Sequence, residues 1–271
     1  MFQTSKHKKI AFITDIHGHA ATFKALCAKI PSDYVIVCGG DLIDRGRASK
    51  GVIQEIMDKG YLSVLGNHDY FMLMETDIKL WRKRTSLWYA NGGNTTIRSY
   101  GGKWRIQNDP EKRAKFLEHR NFLWTLPLVI KFPNIKVNGR EIWVSHSPLD
   151  MAMDIASTSD IMERVLTECD KKYAYHNVNS GEGTLVQTVF WRHWDDGKPR
   201  KDGKAPRGYP RDNFPFYNVT GHNSLWEPHI AKHFACLDTC VYYPNKLTAL
   251  LLPDMKLITQ ETVEDTWEFK K

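Results

Sequence analysis

Six side chains spread between positions 15 and 222 share one kind of chemistry. Asp15, His17, Asp41, Asn67, His146 and His222 are all oxygen or nitrogen donors, with no thiolate among them. Carboxylate, imidazole and amide oxygen suit borderline or hard divalent metals such as Mn, Fe or Zn. Six protein ligands are too many for one catalytic ion that must keep an open position. They are about right for two ions sharing a carboxylate. Such a pair, ~3.5–4 Å apart, clamps the attacking and leaving oxygens of a displacement at phosphorus. The spacing Asp15-x-His17 fits a strand end, because residues two apart on a strand face the same side and can reach one ion.

The elements that must position these residues can be read from the apolar pattern. Ile10–Ile13 ends at Thr14-Asp15, Tyr34–Cys38 ends at Gly39-Gly40-Asp41, and Leu62–Leu65 ends at Gly66-Asn67-His68-Asp69. Between them, Phe23, Leu26, Cys27 and Ile30, then Val52, Ile53, Ile56 and Met57, fall at helical spacing, and Gly60 stops the second helix. Strand, helix, strand, helix, strand is the signature of βαβ units with a parallel sheet. Ligands bind outside the carboxyl ends of such strands. Further along, 70–84 and 109–124 read as helices, and Leu128–Phe132 and Ile142–Ser145 as strands, the latter ending at His146. Residues 159–169 and 184–194 read as helices, and 195–215 as a lid or loop without periodicity. Tyr217–Thr220 leads into Gly221-His222. Ala235–Leu237, Cys240–Tyr243 and Leu247–Leu252 complete the expected strands, with a turn at Pro244-Asn245.

Taken together, Asp15-Ile16-His17-Gly18, Gly40-Asp41-Leu42-Ile43-Asp44-Arg45-Gly46 and Gly66-Asn67-His68-Asp69 resemble the three signature motifs of the calcineurin-like metallophosphoesterases. Asp44-Arg45-Gly46 resembles the phosphoprotein phosphatase branch, which holds bacterial and bacteriophage serine/threonine phosphatases and symmetrical diadenosine tetraphosphatases. Val144-Ser145-His146-Ser147 and Gly221-His222 look like the later metal histidines. Arg192 in Phe190-Trp191-Arg192 looks like a second phosphate-binding arginine, and Asp238-Thr239 through Leu247-Thr248-Ala249-Leu250 like the closing strands.

The resemblance implies an α/β, four-layer metallophosphoesterase fold: a central β-sandwich flanked by helices, with a dinuclear site at the strand C-terminal ends. It implies one catalytic domain over 1–271, with a candidate lid or cap insertion at about 150–213. Two divalent ions, Mn foremost with Fe or Zn as alternatives, would sit on Asp15, His17 and Asp41, and on Asp41, Asn67, His146 and His222. A hydroxide between the ions would attack phosphorus in line. His68, oriented by Asp44, would be the general acid, and Arg45, Arg192 and Asn67 would bind the phosphoryl oxygens. The implied substrates are phosphoserine or phosphothreonine proteins, with dinucleoside tetraphosphates as the alternative. A binding protein that keeps the fold without catalysis is a third reading, disfavoured because every implied ligand and the acid are present. Three positions depart from the family pattern: Thr14 where glycine is usual, Asp69 in place of Glu, and Ser147-Pro148 after His146.

Composition sets the outer limits. With 271 residues, 42% apolar and 25% charged, a disordered, collagenous or plain coiled-coil chain is excluded. The 38 Lys and Arg against 31 Asp and Glu leave a formal charge of +7, which favours an anionic partner such as a phosphate ester, nucleotide or nucleic acid. No run approaches the ~18 apolar residues of a membrane span, so a cytoplasmic protein without membrane contact is expected. The five cysteines form no CxxC pair and read as reduced, not as a zinc site at Cys236 and Cys240. Blander readings compete at single positions. Asp41 and Asp44 could be helix caps, His229 and His233 have a zinc-like helical spacing but read as loop residues after Pro228, and His19, next to the site, reads as a surface residue in preference to a substrate contact. Lys79, Arg82, Lys83 and Arg84 near Trp81 and Trp88 read as a solvated face with Trp turned inward, in preference to a nucleic-acid platform. The charged segment 195–212 is expected to lie over the site and select substrate.

Overall fold

Strand β2 (Ile10–Ile13) is apolar at every position because both of its faces are covered. Ile10 and Phe12 point into a core shared with a second sheet, while Ala11 and Ile13 point the other way, towards helices. This alternation is the two-residue period of a strand carried through a buried layer. The computed structural model describes residues 2–76, 87–149, 215–243 and 245–264.

The sheet holding β2 also contains β3 (Val35–Cys38), β4 (Leu62–Ser63), β10 (Lys246–Leu252) and β11 (Lys256–Glu261), in the order β11-β10-β2-β3-β4. β2, β3 and β4 run parallel, so all three end at the same edge. β10 runs antiparallel to β2, with Leu250 opposite Phe12. The second sheet is β1-β5-β6-β7-β9-β8, built from β1 (Phe2–Gln3), β5 (Val129–Val137), β6 (Arg140–Ser145), β7 (Tyr217–Thr220), β8 (His229–Ile230) and β9 (Phe234–Cys236). Phe12, Val37, Leu250 and Leu252 meet Ile130, Phe132, Val144, Tyr217 and Val219 between the two sheets. On the opposite face of the first sheet lie α1 (Ala20–Cys27) and α2 (Ser49–Lys59), which bury Phe23, Leu26, Val52, Ile53 and Ile56. The left-handed Gly60 closes α2 as its sequence predicts. α3 (Asn67–Glu75), α4 (Leu87–Ala90), α5 (Gly93–Ser99), α6 (Lys103–Asn108) and α7 (Pro110–Thr125) complete the described helices. The α/β sandwich expected from the sequence is the architecture the chain adopts.

Several boundaries differ from the sequence reading. Cys240–Tyr243 is a turn, not a strand. The Asp238 carboxylate accepts the Cys240 N–H at 3.1 Å, Cys240 takes a left-handed φ of 57°, and the Tyr243 N–H bonds back to Cys240 O at 2.9 Å. A side-chain acceptor has captured the backbone that a ladder would have used. β5 continues through Pro133 to Val137, with a register shift between Phe132 and Lys136 where the proline sits. The helix expected over 70–84 starts earlier, at Asn67, and α3 ends at Glu75. The segments 159–169, 184–194 and 195–215, the candidate lid at 150–213 and the basic stretch at 79–84 fall wholly or almost wholly outside the described residues.

Phe12 joins the two sheets with no exposed surface. Phe12→Ala should cost about 3–5 kcal/mol of stability through lost burial and a residual cavity, measured as the shift in a urea melt at unchanged slope.

Candidate metal centre

The three parallel strands deliver their polar loops to one edge, where the loops bond to one another through backbone. The Asp15 N–H donates to Gly40 O (3.1 Å), His17 N–H to Asp41 O (2.9 Å) and Gly18 N–H to Leu42 O (3.0 Å). The third loop is tied in by Asp69, whose carboxylate accepts the Leu42 and Gly66 N–H groups at 3.0 Å each. Asp69 thus staples the second and third loops together. From the second sheet, Gly221 N–H reaches His146 O (2.8 Å) and His222 N–H reaches Asp15 Oδ2 (3.0 Å). The contacts that demand glycine are tightest at Gly66 and Gly221. A Cβ at Gly66 would lie 2.0 Å from Asp41 N, and one at Gly221 would lie 2.0 Å from Asp15 Oδ2.

Six site residues that are not glycine sit at positive φ: Asp15 (53°), His17 (45°), Asp41 (50°), Asp44 (71°), Arg45 (65°) and His222 (65°). Such backbone is held only where its surroundings over-determine it, and it concentrates at functional sites. All six were singled out from sequence.

The structure brings the six candidate donors together. His17 donates Nδ1–H to Ile43 O (2.9 Å), which leaves its Nε2 lone pair facing Asp41 Oδ2 at 3.7 Å and Asp15 Oδ1 at 3.9 Å. His146 donates Nδ1–H to Gly39 O (2.8 Å). Its Nε2 then lies 3.3 Å from Asp41 Oδ1, 2.9 Å from Asn67 Oδ1 and 3.1 Å from His222 Nδ1. His222 Nδ1 is 2.8 Å from Asn67 Oδ1. The carbonyl acceptors assign these tautomers. Burial first, then Arg45 and His68, depresses the His17 pKa well below the usual imidazole range, and burial likewise depresses His146. Neutral imidazole lone pairs aimed at carboxylate and amide oxygens form an acceptor-rich cluster, and a divalent cation is what such a cluster can hold.

Electrostatics point the same way. Burial, with Asp238 and Asp41 nearby, holds the Asp15 carboxyl well above its ordinary range. Burial also pushes Asp41 upward, but His146, His68, the His68 N–H and Arg45 outweigh it, and its pKa lies below the usual value. Two trios place their donor atoms within 4.8 Å of one another: Asp41 with His146 and His222, and Asp41 with His17 and His68. His68 stands in the second trio where the resemblance puts Asp15. However, its Nε2 accepts Arg45 Nη2–H at 3.3 Å, whereas Asp15 Oδ1 faces His17 directly.

His68 is fixed from its other nitrogen. Its Nδ1–H donates to Asp44 Oδ2 at 2.8 Å. Asp44 is fully buried and also accepts the Trp88 indole N–H at 3.0 Å and the Thr96 hydroxyl at 2.7 Å. Burial raises the Asp44 pKa even against these donors. Arg45 lies with its guanidinium carbon 3.9 Å from the centre of the Tyr242 ring, a cation–π contact. The Tyr242 ring also meets His17 edge-on at 5.1 Å, and its hydroxyl bonds Ser224 Oγ (2.8 Å), which donates to Asp238 Oδ2 (2.7 Å).

Trp88, Thr96, Tyr242, Ser224 and Asp238 were not identified as site residues from sequence. The burial of Trp88 was anticipated. The usable signal was that a buried indole N–H must find an acceptor. His19 is a correction: it is buried, 3% exposed, and bonded to Ile16 O at 3.1 Å, because the loop folds its side chain back onto itself. Cys236 and Cys240 direct their thiols to backbone carbonyls, as reduced structural cysteines do. The loop reading is corrected for His229, which lies on short strand β8, while His233 lies just beyond that strand. Arg192 lies outside the described residues. No described helix is long and apolar enough to cross a membrane.

Comparison with known proteins agrees with this geometry. The family model for calcineurin-like phosphoesterases matches residues 8–176. An uncharacterized protein of Methanocaldococcus jannaschii is 30% identical over 210 residues, covering 75% of this chain and 77% of that protein. A crystal structure of a protein provisionally named diadenosine tetraphosphatase superposes with a TM-score of 0.60 at 18% identity, covering 97% of this chain and 98% of that one. A serine/threonine phosphatase from Saccharomyces cerevisiae gives 0.55 at 14% identity, covering 98% and 84%. At these identities the structural likeness concerns the fold. The matched family model and the relative at 30% identity establish that this chain belongs to the calcineurin-like phosphoesterase family.

Proposed function

We propose that this chain is a two-metal phosphomonoesterase acting on phosphoserine or phosphothreonine in proteins. The observation that carries the reading is the His68–Asp44 pair beside Asp41 and Arg45: an imidazole clamped through Nδ1 by a buried carboxylate, its Nε2 facing the cluster of donors. A leaving serine or threonine alkoxide is strongly basic and needs a proton, which an oriented imidazole can deliver.

The remaining residues take complementary roles. Asp15, His17 and Asp41 would hold one divalent cation, and Asp41, Asn67, His146 and His222 the other. Those cations, when bound, supply Lewis acidity at a phosphoryl oxygen and acidify water. Arg45 offers a planar guanidinium to the phosphoryl oxygens, and Asn67 offers its amide. In the resting arrangement one Arg45 N–H points at His68 Nε2. Drawing that N–H onto a phosphoryl oxygen frees Nε2 to take up a proton from solvent and pass it to the leaving group. Asp44, with Trp88 and Thr96, keeps the imidazole turned for that transfer. The metal identity expected is Mn, and Arg192 is proposed as a second phosphate contact.

A second reading is hydrolysis of a dinucleoside tetraphosphate, supported by the fold shared with the protein provisionally named diadenosine tetraphosphatase. There the leaving group is a nucleoside diphosphate, stable as an anion and less dependent on an acid. Assays of Mn-loaded protein on phosphopeptides and on diadenosine tetraphosphate therefore decide between the readings. Preference for the dinucleotide would overturn the first.

His68→Asn should lower turnover about 10²–10⁴-fold on phosphoserine peptide and much less on p-nitrophenyl phosphate. Equal losses on both would remove the acid role. Tyr242→Leu removes the ring beneath Arg45 and should raise KM for phosphate esters roughly two- to thirtyfold, read from steady-state kinetics with metal content held constant. Added Mn should raise the melting temperature by mass action. Binding must expel the proton that burial and neighbouring carboxylates keep on Asp15 above its ordinary range. The gain should therefore shrink as pH falls through that raised pKa and level off above it. Melts with and without Mn across a pH series check this, and a pH-independent gain would count against it.

A further inference from the structure

Helix α1 begins directly after the loop that carries Asp15 and His17, yet its own sequence supplies no side-chain cap. The residue at the cap position, His19, turns its ring to Ile16 O instead. The cap comes from the far end of the described chain. Glu264 Oε1 accepts the Ala21 N–H at 2.6 Å and the Thr22 N–H at 3.2 Å, and Oε2 accepts the Thr22 hydroxyl. Thr22 Oγ1 in turn accepts the Val263 N–H at 2.9 Å. One residue earlier, the Thr262 N–H donates to Asn245 O (2.9 Å), and its hydroxyl is directed at Asn245 O (2.9 Å) and Val241 O (3.0 Å).

Residues 262–264 therefore join two places. One is the first turn of α1, continuous with the His17 loop. The other is the turn at 241–243 together with Asn245, where the Tyr242 ring packs on His17. His17 is thus braced from both sides by elements that this three-residue segment fastens together. Its positive φ, like that of Asp15, is the kind of backbone that relaxes when such bracing is lost.

We propose that residues 262–264 form a clasp that sets the position of His17 and hence the affinity of the cation held by Asp15, His17 and Asp41, with Glu264 as a positioning residue. The proposal rests on the metal-centre reading above. If the clasp is opened, the metal-free loop samples conformations that cannot bind, and the apparent affinity falls by the fraction that remains competent. The second cation site shares Asp41, and His222 N–H bonds Asp15, but Asn67, His146 and His222 come from other loops, so this loss should weaken it less.

The test uses the full chain as wild type, E264Q, E264A and T22V. It combines calorimetric titration with Mn, hydrogen exchange of the metal-free protein and thermal melts. In E264A one of the two Mn affinities should weaken roughly fivefold, the scale of a lost helix cap, while the other weakens clearly less. Exchange across residues 16–22 should quicken in parallel, and E264Q, which keeps an acceptor, should fall between. T22V should resemble E264A in direction. If E264A lowers the melting temperature but leaves both affinities and the exchange of 16–22 unchanged, Glu264 is only a fold-stabilising cap and the proposal fails. Equal weakening at both sites also overturns it. A wild-type chain that takes up no divalent cation would instead sink the metal-centre reading itself. That result is told apart because it appears before any substitution is made.

Discussion

The site turns on one carboxylate. Asp41 Oδ1 accepts the His68 N–H and lies 3.3 Å from His146, while Oδ2 faces His17 at 3.7 Å and His68 at 3.9 Å. Placing an anionic group there, almost wholly buried and within reach of three imidazoles, requires a backbone at positive φ with Gly66 pressed against its N–H. Nearly every other feature of the fold can be read as holding that arrangement. The parallel run β2-β3-β4 ends its strands at one edge, the loops bond to each other there, and Asp69 fastens the third loop to the second.

The second sheet contributes by position. β6 and β7 run parallel and neighbouring, so His146 and His222 emerge side by side at their ends, across from Asp41 and Asn67. The inter-sheet core, with Phe12 and Leu250 against Val144 and Val219, sets the distance between the two halves of the donor cluster. A close-packed interior transmits small displacements, so the apolar layer and the polar edge form one mechanical unit.

The helical layer serves the other side of the chemistry. Trp88 from α4 and Thr96 from α5 converge on Asp44, and through it they fix the rotation of His68. Opposite, Asp238 and Ser224 anchor Tyr242, whose ring supports Arg45. His68 and Arg45 are therefore each held by a chain of contacts from a different part of the molecule. They meet where Arg45 and His68 touch.

Much of this was legible in the sequence. The apolar runs ending in Asp15, Asp41 and Asn67 announced parallel strands with a shared edge, and the donor types announced a metal. Both signals are local, set by side-chain period and by ligand chemistry. The turn at Cys240–Tyr243 was misread because its run of apolar residues looks like a strand. Only the Asp238 carboxylate, in its folded place, draws the backbone out of the ladder. Trp88, Thr96 and Tyr242 were invisible as residues beside the site for a related reason. Each acts through hydrogen bonds or ring contacts with residues remote in the chain, and nothing in their own neighbourhood encodes the partner. Sequence alone determined which donors stand at strand ends. Tertiary structure decided which groups orient and brace them, because that is a matter of distance between segments and not of pattern within them.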